Sequence, residues 1–176
     1  GKTQMQLELS RIVLQKAMET IEGIDDRGLL VCPLGVRQEF KKDAKRLGIE
    51  IEYCRTMAEV LASPCSIIIT NYERVRDGDI EPACFTFASL DEASVLRSFG
   101  SKTYQEFLDK FKDVPYRFVC TATPSPNKYK ELIHYAGFLG IMDTGQALTR
   151  WFKRDSTKAN NLTLYEHKAR EFWLWV

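Results

Sequence analysis

The chain has 176 residues, 44% hydrophobic and 28% charged, which is the size and balance of one ordinary soluble globule with a real core. Lys+Arg 25 against Asp+Glu 24 leaves a formal net charge of +1, so no global basic field advertises nucleic acid and any such surface must be a local patch. Five cysteines without C-x-x-C spacing read as reduced, mostly buried thilos of a cytosolic protein, two distant histidines argue against zinc, and no run approaches the roughly 18 apolar residues of a membrane span.

In chain order, residues 3–22 carry Met5, Leu9, Ile12, Val13, Ala17 and Ile21 at helical spacing, and residues 23–28 form a loop. Residues 28–33 read as a buried strand stopped by Pro33. A helix over 34–47 turns Val36, Phe40, Ala44 and Leu47 inward; its five basic residues suit a solvated face or phosphate contacts. Residues 49–53 alternate with period two, as in a strand near an edge, and 57–61 form a short helix. The β-prone run 65–70 belongs inside the sheet.

After a turn-rich stretch at 75–82, a strand over 84–90 ends on Asp91-Glu92-Ala93-Ser94. Residues 95–101 break helical periodicity and read as a mobile loop. A helix follows with Tyr104, Phe107, Leu108 and Phe111, then a strand over 116–121 running into Thr121-Ala122-Thr123-Pro124. Pro126 and Asn127 open a helix that buries Leu132, Ile133, Tyr135, Ala136 and Leu139. Beyond 140 the sequence changes: aromatics at 151–152 and 172–175 flank a polar middle at 155–161. Such aromatics can stack on bases but more commonly pack.

Two adjacent carboxylates on a strand tip suit a cation: one holds Mg²⁺, its neighbour orients and deprotonates a water. The competing reading is an Asp-Glu pair opening a helix, where carboxylates suit the dipole. Gly1-Lys2-Thr3 ahead of a helical pattern is the end of the phosphate-loop consensus G-x-x-x-x-G-K-T/S.

Gly1-Lys2-Thr3, Asp91-Glu92-Ala93-Ser94 and Thr121-Ala122-Thr123-Pro124, in that order, resemble motifs I, II and III of the superfamily 2 helicases and translocases. The stretch from Cys32-Pro33 to Arg37-Gln38 is similar to motif Ia of the Swi/Snf-type branch, and Thr70-Asn71 to motif Ib; a Thr/Asn helix cap explains the latter equally well. The resemblance implies a three-layer α/β, RecA-like first lobe over 1–140, with 141–176 an extension toward a second lobe.

By the same resemblance, Gly1, Lys2 and Thr3 bind ATP, Thr3 and Asp91 hold Mg²⁺, and Glu92 activates water. Thr121 and Thr123 couple the nucleotide to the nucleic-acid surface, and Arg37, Gln38, Thr70 and Asn71 contact nucleic acid. The implied partners are DNA, double-stranded in preference to RNA, and the second lobe; the setting is cytoplasmic, with a bacterial or phage-encoded protein compatible. The alternative is a nucleic-acid-binding module with the same fold but no competent catalysis.

The chain opens inside its first motif and looks cut from a longer protein. The strand that normally precedes the phosphate loop is expected beside the strand carrying the acids. Its loss predicts a gap in the sheet, filled by an aromatic segment or a neighbouring chain, or else a marginally stable fragment.

Overall fold

A computed structural model describes residues 1–20, 27–98, 101–123, 129–154 and 162–176. Five strands make one sheet: β1 (Gly28–Cys32), β2 (Ile51–Tyr53), β3 (Ile67–Asn71), β4 (Phe87–Asp91) and β5 (Tyr116–Cys120), in the order β2-β3-β1-β4-β5. Every pairing is parallel. All five predicted strands are present, and the alternating run predicted over 49–53 is an edge strand, shorter than expected at Ile51–Tyr53.

The three interior strands are buried at every residue, as continuous apolar runs covered on both faces should be. Alternation sends Leu30, Cys32, Ile67, Ile69 and Phe87 to one face, where they meet Leu7 and Leu14 of α1 (Lys2–Thr20) and Phe40 and Ala44 of α2 (Arg37–Leu47). Leu29, Val31, Ile68, Ala88 and Leu90 face the other way. They pack on Val60 of α3 (Met57–Ala62), Tyr72 and Val75 of α4 (Tyr72–Arg76), Phe107 and Phe111 of α5 (Ser101–Phe111), and Phe138 of α6 (Glu131–Leu139). The result is a helix–sheet–helix sandwich with all strand tips at one end.

Three expectations need correction. The acid-bearing strand has no gap beside it: β4 is hydrogen-bonded to β1 on one side and to β5 on the other. The buried face of α1 is partly different. Ala17 is buried and Leu9 and Val13 pack against the core as expected, but Met5 and Ile12 are 73% and 54% exposed, and Leu7 and Leu14 are buried with Thr3, Gln6 and Ser10. Those polar side chains go inside because each has a hydrogen-bond partner there. Finally, Ala93–Ser98 is a 3-10 helix rather than a loop. The expected loop at 23–26, the helix opening at Pro126 and Asn127, and the polar middle at 155–161 lie outside the described residues.

Beyond α6 follow α7 (Thr144–Trp151), β6 (Phe152–Arg154), β7 (Leu162–Leu164), antiparallel to β6, and α8 (Ala169–Trp175). Trp151, Phe152 and Phe172 close on Ile133 of α6, so these aromatics pack. Gly137 and Gly140 make the close approaches at this junction. A Cβ on Gly137 would lie 2.5 Å from the Thr144 hydroxyl oxygen. Gly140 caps α6 at φ +71, with the Arg117 guanidinium where a side chain would go.

Candidate functional site

Strands β4 and β5 end side by side, with Asp91 registered on Cys120, and the first turn of α1 lies against them. This brings Lys2 to the acids. Its ammonium is 3.0 Å from Asp91 Oδ1 and 3.1 Å from Glu92 Oε2. Glu92 also accepts from the Ser94 hydroxyl at 2.6 Å and the Thr121 hydroxyl at 3.2 Å. One carboxylate thus ties together the start of α1, the turn after β4 and the tip of β5.

The turn itself is strained. Among the described residues Glu92 is the only non-glycine residue with a positive φ, at 51°. A left-handed backbone costs an ordinary L-residue roughly 1–2 kcal/mol, so the surrounding contacts must over-determine it. Those contacts include the buried Tyr72, whose hydroxyl donates to the Asp91 carbonyl at 2.8 Å.

Electrostatics follow the geometry. Partial burial works to lower the Lys2 pKa, but hydrogen bonds and charge from Asp91 and Glu92 outweigh it and the ammonium is held above its ordinary value. The hydrogen bond from Ser94 leads in holding the Glu92 carboxyl below its usual range, against burial and with help from Lys2 and Thr121. Cys32 lies near this site. Burial first, then the Asp91 charge, push its thiol up to about 12, and Cys120 is raised chiefly by burial. Burial thus disfavours the thiolate form of both.

Asp91 is 4% exposed, and both of its side-chain contacts, from Lys2 and from Gln6, fall on Oδ1. Among the described residues no donor reaches Oδ2, which is a hard anionic oxygen of the kind Mg²⁺ takes. No group of three or more His, Cys, Asp or Glu among the described residues could hold a metal. A cation here would therefore be shared with phosphates and water, which is how Mg²⁺ is commonly bound. The residues fit that arrangement.

The other predicted residues are distributed as follows. Gly1 is exposed, and its amino group donates to Gln4. The Thr3 hydroxyl is not on the acids: it donates to Glu39 Oε1 at 3.0 Å. Thr121 is at the site, and its hydroxyl also accepts from the Thr123 backbone N–H. Across the sheet, Arg37 lies over the Tyr53 ring at 5.3 Å, and the Tyr53 hydroxyl donates to Asn71 Oδ1 at 2.8 Å. The Asn71 amide in turn donates to Glu73.

Arg37 and Asn71 therefore meet through a tyrosine, with exposed Gln38 next along α2. Thr70 stands apart, because it is fully buried and its hydroxyl is given to the Cys54 carbonyl. Sequence reasoning missed Gln6 and Tyr53. Gln6 sits one helical turn beyond Lys2, on the same face, and that spacing is the signal that could have found it.

Solved structures share this architecture. The fold is that of helicase ATPase cores. The Sulfolobus solfataricus SWI2/SNF2 ATPase core domain aligns with 81% of this chain and 30% of its own, at 19% identity and a TM-score of 0.56. The same core in complex with dsDNA aligns with 77% of this chain and 28% of its own, at 19% and 0.54. The UvsW helicase from bacteriophage T4 gives 74%, 47%, 14% and 0.54 in the same order.

This chain thus spans less than half the length of each of these structures, and at such identities the likeness is one of fold. No protein-family model matches the chain, and no curated protein matches it. Among the described residues no helix is long and apolar enough to cross a membrane.

Proposed function

We propose that this chain is the first RecA-like, ATP-binding lobe of an ATP-dependent DNA helicase or translocase, working with a second lobe to couple hydrolysis to movement on DNA. The observation that carries the reading is the convergence of Lys2, Asp91, Glu92 and Thr121, from three separated segments, on one strand-tip site. The kinship in fold with ATPase cores, one of them solved on dsDNA, supports it.

In this reading Lys2 leaves the acids for the β and γ phosphates, over a backbone that Gly1 leaves open. Asp91 and Thr3 would hold Mg²⁺, which would supply charge neutralisation at the phosphates, and Thr3 would have to release Glu39 to do so. Glu92 orients and deprotonates the attacking water. Thr121, bonded to Glu92, and Thr123, bonded to Thr121, pass the state of that carboxylate to β5. Arg37, Gln38 and Asn71 contact the DNA backbone, where side chains set position rather than sequence.

A second reading has one observation in its favour. The engagement of Thr3 with Glu39 suits a nucleic-acid-binding module that keeps the fold without competent catalysis. DNA-stimulated ATP hydrolysis by the full-length protein, with Glu92→Gln alongside, separates the two. Turnover that rises with DNA and disappears in Glu92→Gln supports the motor. Salt-sensitive DNA binding without nucleotide binding supports the module and overturns the motor.

A further inference from the structure

Gln6 is the most enclosed side chain touching the acids. It is 1% exposed, between Ser89 at 0% and Asp91 at 4%. The Ser89 hydroxyl donates to Gln6 Oε1 at 2.9 Å, and Gln6 Nε2 donates to Asp91 Oδ1 at 2.9 Å. Ser89 and Asp91 are two apart on β4 and so share a face of the sheet, with the Gln6 amide laid across them.

Chemistry settles which way that amide points. A flipped amide would set its carbonyl oxygen against a carboxylate oxygen, two acceptors in a buried place with no proton between them. The hydroxyl of Ser89, by contrast, meets the carbonyl as a donor. Ser89 therefore fixes Gln6, and Gln6 fixes Asp91.

Lys2 and Gln6 share Oδ1, but they are not equivalent. Lys2 is one-third exposed and sits on a long, mobile stem, whereas Gln6 is walled in. When the ammonium moves to a phosphate, the amide is the donor that stays on the carboxylate.

We propose that Gln6 is a positioning residue of the nucleotide site: it clamps Oδ1 of Asp91 so that Oδ2 remains the oxygen offered to the cation accompanying the nucleotide. This rests on the reading of Asp91 as the metal-holding acid. Partners of this kind, one bond removed from a metal, change metal affinity by about 10–100-fold when removed.

The test is Mn²⁺ binding in the presence of saturating ADP, followed by electron paramagnetic resonance, with ADP affinity in chelator measured separately. Gln6→Leu is expected to weaken Mn²⁺ binding by about tenfold while ADP affinity without metal stays as in the wild type. A merely structural defect would lower both together.

Ser89→Ala frees the amide without touching Asp91 and is expected to weaken Mn²⁺ binding in the same sense by a smaller factor; it decides the matter if Gln6→Leu does not fold. Wild-type Mn²⁺ affinity in these variants, with binding lost in Asp91→Asn, overturns the role of Gln6 and leaves the acid site standing. No Mn²⁺ binding to the wild type with ADP overturns the reading of Asp91, and the inference with it.

Discussion

The Lys2 ammonium lies 3.0 Å from Oδ1 of Asp91, a carboxylate whose side chain is only 5% exposed. Breaking a buried ion pair from one side leaves a buried charge uncompensated, and the one-third exposure of Lys2 moderates that cost. Lys2→Met is expected to destabilise the fold by about 1–3 kcal/mol and to abolish nucleotide binding. Urea denaturation and titration with a fluorescent ADP check the two effects.

Glu92 occupies left-handed backbone space, where a glycine suffers no Cβ penalty. Glu92→Gly and Glu92→Ala delete the same contacts to Lys2, Ser94 and Thr121. The glycine variant should nevertheless be the more stable of the two by about 1 kcal/mol. Equal midpoints in chemical denaturation would show that the turn relaxes at no cost.

The pH dependence has a definite sign on each limb. The Glu92 carboxyl is held below its usual 4.5, so its contribution is present above that value and is lost as pH falls through the folded-state pKa. The Lys2 ammonium is held above 10.5, so its contribution is present below that value and is lost as pH rises through the folded-state pKa. Thermal melts of Glu92→Gln should accordingly lose less stability on acidification below pH 4.5 than wild-type melts do.

Gly137 admits Thr144 and Tyr104 to within 2.5 and 3.1 Å of where a Cβ would stand. Gly137→Ala is expected to cost about 1–3 kcal/mol through overpacking. Adding Thr144→Ala should recover part of that loss, because it removes the nearer atom. A double-mutant cycle on melting free energies measures the coupling.

Arg37 lies over the Tyr53 ring, whose hydroxyl donates to Asn71, so the guanidinium is braced by a part-buried side-chain network. If Arg37 meets a DNA phosphate, Arg37→Ala should weaken binding evenly across sequences and reduce the salt slope by about 1. Fluorescence anisotropy at several salt concentrations reads both effects. Tyr53→Phe keeps the ring under Arg37 but removes the donor to Asn71 Oδ1, leaving Asn71 held by Glu73, and it should show a smaller loss.

How far the sequence discloses this molecule depends on what hides each residue. Strands such as Ile67–Asn71 and Phe87–Asp91 are apolar throughout because both faces are covered, so they are plain to read. Lys2, Asp91 and Glu92 stand out through their motifs, and the fold brings them into contact.

The inner face of α1 is only partly legible to hydropathy: Leu9, Val13 and Ala17 pack inward, but Gln6 and Ser10 are buried by hydrogen bonds while Met5 and Ile12 are turned outward. The partner of Thr70 is hidden for a related reason: a β-branched hydroxyl at a strand end does not say what it bonds, and only the fold brings the Cys54 carbonyl to it. The pairing of β4 with both β1 and β5 depends on tertiary arrangement, which local pattern does not encode.

The contact of one ammonium with both acids also bears on the order of events at the site. Two negative charges are already balanced in part by a tethered positive one, so an arriving divalent cation must compete with a counterion that never leaves the molecule. On the proposed reading, a phosphate group would relieve that competition by drawing Lys2 away. On that reading metal and nucleotide should enter as a pair, each far weaker alone, with the lysine as a lock that only the phosphate end of the ligand would release.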